Sequence, residues 1–273
     1  MFRVPKSLEN LFGRKLFSAF QNLVNKIVKG KQPVEKTLRE FVFSKEADEY
    51  IDSTISRMIN EQRVGSARTW REYALRRSEI GKEIYNYLKN EMKSSVGRRV
   101  SELVSANSLY IKSLPQEWAE YASKFAFEQT IKGKRPEWIE AELRKVIPEK
   151  MQKNLKVIAR TESAKANAAI AQARAEDIGL PCYIWRTCDD ERVRHSHQMM
   201  KGVVCFWNNP PAPEGQDHYH PGGTYNCRCY AEPIIDSREL DGKVFHVWVG
   251  DGMRRMSKKQ LMKMERQQRR MMG

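Results

Sequence analysis

The chain holds only five Cys and five His, and nine of these ten fall between positions 182 and 229. Cys182, Cys188, Cys205, Cys227 and Cys229 share that stretch with His195, His197, His218 and His220, while His246 stands apart. Thiolate sulfur and imidazole nitrogen are the donors of a structural zinc site. Such a site takes about four of them in a tetrahedron, with Zn–S near 2.3 Å and Zn–N near 2.0 Å. Two sub-clusters flank a Pro/Gly-rich stretch, one from Cys188 to His197 and one from His218 to Cys229. The expected zinc ligands are His197, His220, Cys227 and Cys229, with Cys188, His195 and His218 as alternates. The competing reading is a set of separately buried Cys and His in a small core, since free Cys is often buried.

Spacing limits which residues can serve together. Asp189 or Asp190 can cap a short helix that Gly202 ends. On that helix His195 and His197 lie roughly 200° apart, so only one faces a given site. On a strand, Cys227 and Cys229 share a face with Cβ atoms roughly 6–7 Å apart. One zinc wants its sulfurs about 4 Å apart, so both bind only from a distorted strand or a turn, and otherwise only one is a ligand. Cys182 and Cys205 match no motif and read as core residues. A second chemistry is open to Asp217-His218, followed by Pro221, Gly222-Gly223 and Asn226. This is superficially similar to a His-Asn-His metal-finger nuclease, in which a His activates water and an Asn orients it. No basic helix with a third His follows.

The elements that must position these residues change texture along the chain. Apolar stripes at helical spacing fill the first 180 residues. One runs from Leu8 to Ile27 and stops at Gly30 and Pro33. A second runs from Leu38 to Ile59, and a third starts after Ser66 as N-cap and carries Trp70, Ala74 and Ile84. A fourth spans Arg98 to Leu114. Pro115 opens the next, with Trp118, Tyr121, Ala122, Phe125 and Phe127 on its inner side, and Gly133 closes it. A short helix around Trp138 to Val146 precedes a long one opened by Pro148 and closed by Gly179. After Pro181, short aromatic and β-branched runs alternate with turn signals. The expected fold class is therefore α+β: an extended, mainly helical N-terminal region, a small loop-rich α+β unit and a basic helical tail.

With 49 Lys+Arg against 34 Asp+Glu, the 273-residue chain carries a formal charge of +15. Hydrophobic content of 40% excludes a disordered chain. No apolar run approaches the ~20 residues of a bilayer span, so no membrane partner is expected. Charges interrupt the first 28 residues, so no clean signal-peptide core is expected, and with an odd five Cys the expected place of synthesis is a reducing cytoplasm. The charge by itself favours nucleic acid, an anionic membrane surface or an acidic protein as partner. The candidate DNA contacts are the basic residues of the tail: Arg254, Arg255, Lys258, Lys259, Lys263, Arg266, Arg269 and Arg270.

Three segments in order carry a resemblance to a known family. Ile158-Ala159-Arg160-Thr161-Glu162 leads into an Ala-rich helix. Trp185-Arg186-Thr187-Cys188-Asp189-Asp190-Glu191-Arg192-Val193-Arg194-His195-Ser196-His197 ends at Gly202. His220-Pro221 and Asn226-Cys227-Arg228-Cys229 then precede Glu232-Pro233. Together they resemble the phage Mu F-like head morphogenesis family, the minor head proteins of tailed phages, over roughly 115–236. The resemblance implies a helical region over 1–114, the family domain over 115–236, and a short strand with a basic tail over 237–273. It implies a non-enzymatic virion protein of the phage head, present in few copies and acting in capsid assembly. Its partners would be the portal protein, the major capsid or scaffolding protein and double-stranded DNA, and Zn²⁺ is the cofactor expected. Arg160, Thr161, Glu162, Asp189, Asp190, Arg192, Gly202, Pro221, Asn226 and Arg228 are the structural motif residues. The alternative is a metal-dependent nuclease or phage toxin built on the His/Cys cluster.

Overall fold

A computed structural model describes residues 2–77, 81–250 and 252–272. The fold is α+β. Helices α1 (Lys6–Ala19), α2 (Gln21–Lys29), α3 (Val34–Arg39), α4 (Lys45–Arg77), α5 (Gly81–Asn90), α6 (Ser95–Ile131) and α7 (Pro136–Asp177) precede the strands. Strand β1 (Cys182–Arg186), α8 (His195–Met199), β2 (Val204–Phe206), β3 (Tyr230–Pro233), β4 (Val244–Val249), β5 (Gly252–Ser257) and α9 (Lys258–Met272) follow.

Several expected breaks are corrected. The first stripe is two helices, because Phe20 leaves helical geometry at φ −93°, ψ 3°. Its buried ring packs edge-on against Trp118 at 5.0 Å and Phe43 at 5.3 Å, which fixes the knee. Ser66 is not an N-cap. It lies inside the continuous α4, and its hydroxyl donates back to the Arg63 carbonyl at 3.1 Å. Pro115 and Pro148 open no helices and sit inside α6 and α7. A mid-helix proline costs about 3 kcal/mol. Burial runs unbroken on both sides of each, through Ile111, Leu114, Trp118 and Ala122 and through Leu143, Ile147, Met151 and Leu155. That apolar face outweighs the lost hydrogen bond. The two glycine stops stand as read. Gly133 and Gly179 adopt φ +73° and +70°, and Leu180 closes the end of α7 by donating to the Ala175 carbonyl at 2.8 Å.

Two compact units emerge. One comprises 5–59 and 102–160, the other 1–4, 60–101 and 161–273. Their boundaries fall within α4, α6 and α7, and not at 114 or 236. In the all-helical unit, Phe12, Leu16, Leu23, Ile27, Leu38, Ile51 and Ile55 are buried. Glu140 caps the start of α3, accepting from the Val34 amide at 3.0 Å where Pro33 offers no side-chain oxygen.

The second unit carries the sheet, in the order β3-β1-β2-β4-β5. Only β2–β4 is parallel. Successive strand residues point to opposite faces, and the two faces have separate cores. Tyr183, Trp185, Cys205 and Trp248 pack with Trp70 and Ala74 of α4, Ile84 and Leu88 of α5, and Ala171 and Ala175 of α7. Cys182, Val204, Phe206 and Val247 pack on the other face with Leu261 of α9. Cys182 and Cys205 are thus core residues, and burial lifts the Cys182 thiol to about 12.

Within this unit α7 is anchored by an ion pair that the sequence did not reveal. Arg174, fully buried, reaches Glu91 through Nε at 2.7 Å and Nη2 at 3.0 Å, with Nη1 on Ser66 Oγ at 2.6 Å. Arg63 adds a further bond to Glu91 at 2.7 Å. Removing one partner of such a pair leaves an unbalanced buried charge. Glu91→Ala is therefore expected to cost about 3–5 kcal/mol in urea unfolding followed by tryptophan emission. Glu149→Ala, which breaks an exposed pair with Lys153, is expected to cost under about 1 kcal/mol.

Candidate metal centre

Two turns and one short helix build the site. After β1 the chain passes through Thr187, Cys188 and Asp189, the last at φ +53°. Asp189 accepts from Thr187 Oγ1 at 2.5 Å and pairs with Lys201 at 2.8 Å. Short polar side chains with local hydrogen bonds tolerate this left-handed geometry. The acids do not cap α8, as spacing had suggested. Its N-cap is Arg194 with no side-chain bond, while Asp190 accepts from the Arg192 amide at 3.1 Å in a local turn. Arg228 donates to Asp190 at 2.6 Å and, with its charge, draws that carboxyl down to about 2. Gly202 adopts φ +81° and its amide donates to the Trp185 carbonyl, which returns the chain to the sheet.

The second turn rests on α7. The Asn226 amide donates to Thr161 Oγ1 at 3.0 Å, with Asn226 itself at φ +55°. Gly222, at φ +90°, approaches so closely that a Cβ there would lie 3.1 Å from both the Ala164 and Cys229 carbonyl oxygens. Pro221 beside it is buried. The other motif residues face elsewhere. Arg160 lies 3.5 Å from Glu9, and Glu162 pairs with Lys165 at 3.0 Å.

Because residues 227–229 precede β3 in a turn, Cys227 and Cys229 escape the separation that a strand would impose. Their sulfurs and a nitrogen of His197 all lie within 4.8 Å of one another, and all three residues are buried. His197 Nδ1 stands 3.5 Å from Cys227 Sγ and 3.6 Å from Cys229 Sγ. A tetrahedral ion bonded to sulfur near 2.3 Å and nitrogen near 2.0 Å sets its donors about 3.5 Å apart. The Cys229 amide donates to Cys227 Sγ at 3.4 Å, and the Cys227 thiol is drawn below its ordinary value by hydrogen bonding from Cys229 and by His197. The far nitrogen of His197 meets Tyr219 Oη at 3.0 Å, which leaves Nδ1 for an ion. This group can hold a metal.

His220 is not part of the group, which corrects the expected ligand set. Its Nδ1 lies 3.0 Å from Tyr183 Oη, and its ring packs against Trp207 at 5.2 Å. The spacing gave no warning, because the aromatic pocket is built by β1 and β2. Of the alternates, His195 is exposed and His218 places Nδ1 2.8 Å from the Pro210 carbonyl. Cys188 lines the same small cavity of about 60 Å³ as His197, Cys227 and Cys229.

Residues 126–232 match the family described as Phage Mu protein F like protein. The match supports the phage Mu F-like head morphogenesis family for the stretch that holds α7, the sheet's first strands and the His/Cys group. A protein of Haemophilus influenzae described as an uncharacterized protein is 32% identical over 163 residues. That alignment covers 60% of this chain and 35% of the relative, so the chain spans about a third of the relative's length. No solved structure matches.

Burial pushes the His220 imidazole down to about 4. An unfolded His takes up its proton near pH 6.5, so the neutral folded form contributes stability above that pH. The contribution is lost as pH falls toward 4. Stability is expected to drop over this interval by on the order of 3 kcal/mol from this group. His220→Phe should flatten that part of a urea-unfolding series against pH.

Proposed function

We propose that this chain is a minor structural protein of a tailed-phage head, a low-copy virion component acting in head morphogenesis. The observation that carries the reading is the family match over 126–232. The portal protein and the major capsid or scaffolding protein are its assembly partners, and its role is non-enzymatic. No helix among the described residues is long and apolar enough to cross a membrane. Mass spectrometry of purified particles of the phage that encodes it tests the reading. Its peptides are expected at low copy in the virion, and their absence there would exclude a packaged component.

The His/Cys group takes zinc in this reading. Thiolate and imidazole donors suit that ion in a reducing cytoplasm. The fit rests on three buried donors at tetrahedral spacing. The ion's contribution is to cross-link α8 to the stretch that precedes β3.

Double-stranded DNA meets the basic tail. On α9, Leu261 and Glu265 are buried, while Lys259, Lys263 and Arg266 are exposed at i, i+4 and i+7, one stripe of the helix. Arg254 and Arg255 are exposed on the edge strand β5. Lys258 pairs with Asp241 at 2.6 Å and is less available for phosphate. The side chains of Arg269 and Arg270 lie outside the described residues. Each phosphate contact contributes about 0.9 to the slope of log affinity against log salt. Replacing Arg254, Arg255, Lys259, Lys263 and Arg266 by Ala is expected to flatten that slope by up to about 4 units. An unchanged slope in fluorescence-anisotropy titrations would remove the tail from the DNA interface.

A further inference from the structure

We propose that Cys188 is the fourth ligand of the metal centre, which makes it a closed, three-thiolate site with no position for water. This rests on the zinc reading above. The first support is the cavity's lining. Among the residues around the 60 Å³ space, only Cys188, His197, Cys227 and Cys229 carry thiol or imidazole donors. The other alternates have been placed elsewhere, His195 in solvent and His218 beside the Pro210 carbonyl. Cys188 is partly exposed at the mouth of this space, outside the group of three donors within 4.8 Å. It completes the tetrahedron by turning its side chain inward, from a turn that Thr187, Asp189 and Lys201 hold in place.

Charge supplies an independent argument. Arg192, Arg194 and Arg228 also line the cavity. Arg192 and Arg228 share Asp190, and Arg194 lies 3.7 Å from Glu214. A zinc ion with one neutral imidazole and two thiolates is neutral, whereas three thiolates give the centre one negative charge in a cavity lined by three guanidiniums.

Closure has a functional consequence. Catalytic zinc sites keep one position for water, whereas structural sites fill all four with protein. With Cys188 bound, the ion fastens the 187–194 turn to the 226–229 turn and activates no water.

Zinc-edge X-ray absorption on the full chain, purified without chelator, tests this. The expected first shell is about three sulfurs near 2.3 Å and one nitrogen near 2.0 Å. Two sulfurs with two lighter donors would overturn the role of Cys188 and leave the zinc reading standing. Protein with far less than one equivalent of zinc would overturn both. Cys188→Ser is expected to lose one sulfur from the shell and to weaken zinc, in chelator competition, by more than the roughly 10–100-fold that outer-shell changes cost. An unchanged shell and affinity in that variant would also overturn the proposal. The wild-type spectrum decides the point even where the variant does not fold.

Discussion

The sheet-bearing unit depends on the buried pairing of Arg174 with Glu91. Glu91 ends α5 in a short 3₁₀ turn, Ser66 and Arg63 belong to α4, and Arg174 belongs to α7. One guanidinium therefore joins three elements through hydrogen bonds that would otherwise all need other partners. Burying two charges is costly, and that cost is offset here only because Arg174 donates to four oxygens. The pairing holds α7 at a fixed position, and both the sheet and the metal centre are laid against that helix.

Small residues on α7 convert the fixed position into close contact. Ala171 and Ala175 admit the aromatic face of the sheet. About two to four turns earlier on the helix, Thr161 accepts from Asn226 and the Ala164 carbonyl nearly touches Gly222. The turn carrying Cys227 and Cys229 is thus seated on the short Thr161 side chain and on the backbone of α7. On its other side, α8 presents His197, oriented by Tyr219 and packed edge-on against Trp185 at 5.4 Å. Support on both sides brings the three donors within 4.8 Å of one another.

The opposite face of the sheet serves a different purpose. Leu261 seals α9 over Val204, Phe206 and Val247, which turns its lysines and arginine outward beside the arginines of β5. The basic surface and the metal centre belong to the same unit but to separate cores. Lys259, Lys263 and Arg266 are therefore presented on a packed helix rather than on a loose tail.

Much of the architecture was legible from the residues. Period-3.6 stripes gave the helical region, and short aromatic runs among turn residues gave the α+β unit. Glycines at Gly133, Gly179 and Gly202 marked positive φ, because only such backbone freedom explains them there. The crowding of Cys and His marked the region of the site. Proline punctuation failed at Pro115 and Pro148, where a local penalty of a few kcal/mol was outweighed by a continuous buried face. The choice of ligands was beyond sequence for a related reason. His220 and His197 are equivalent in spacing, but β1 and β2 enclose one in an aromatic pocket while α8 turns the other toward two sulfurs. Residue type and order determine which chemistry is available. Which donors share one point depends on packing between segments distant in sequence, and only the tertiary structure decides that.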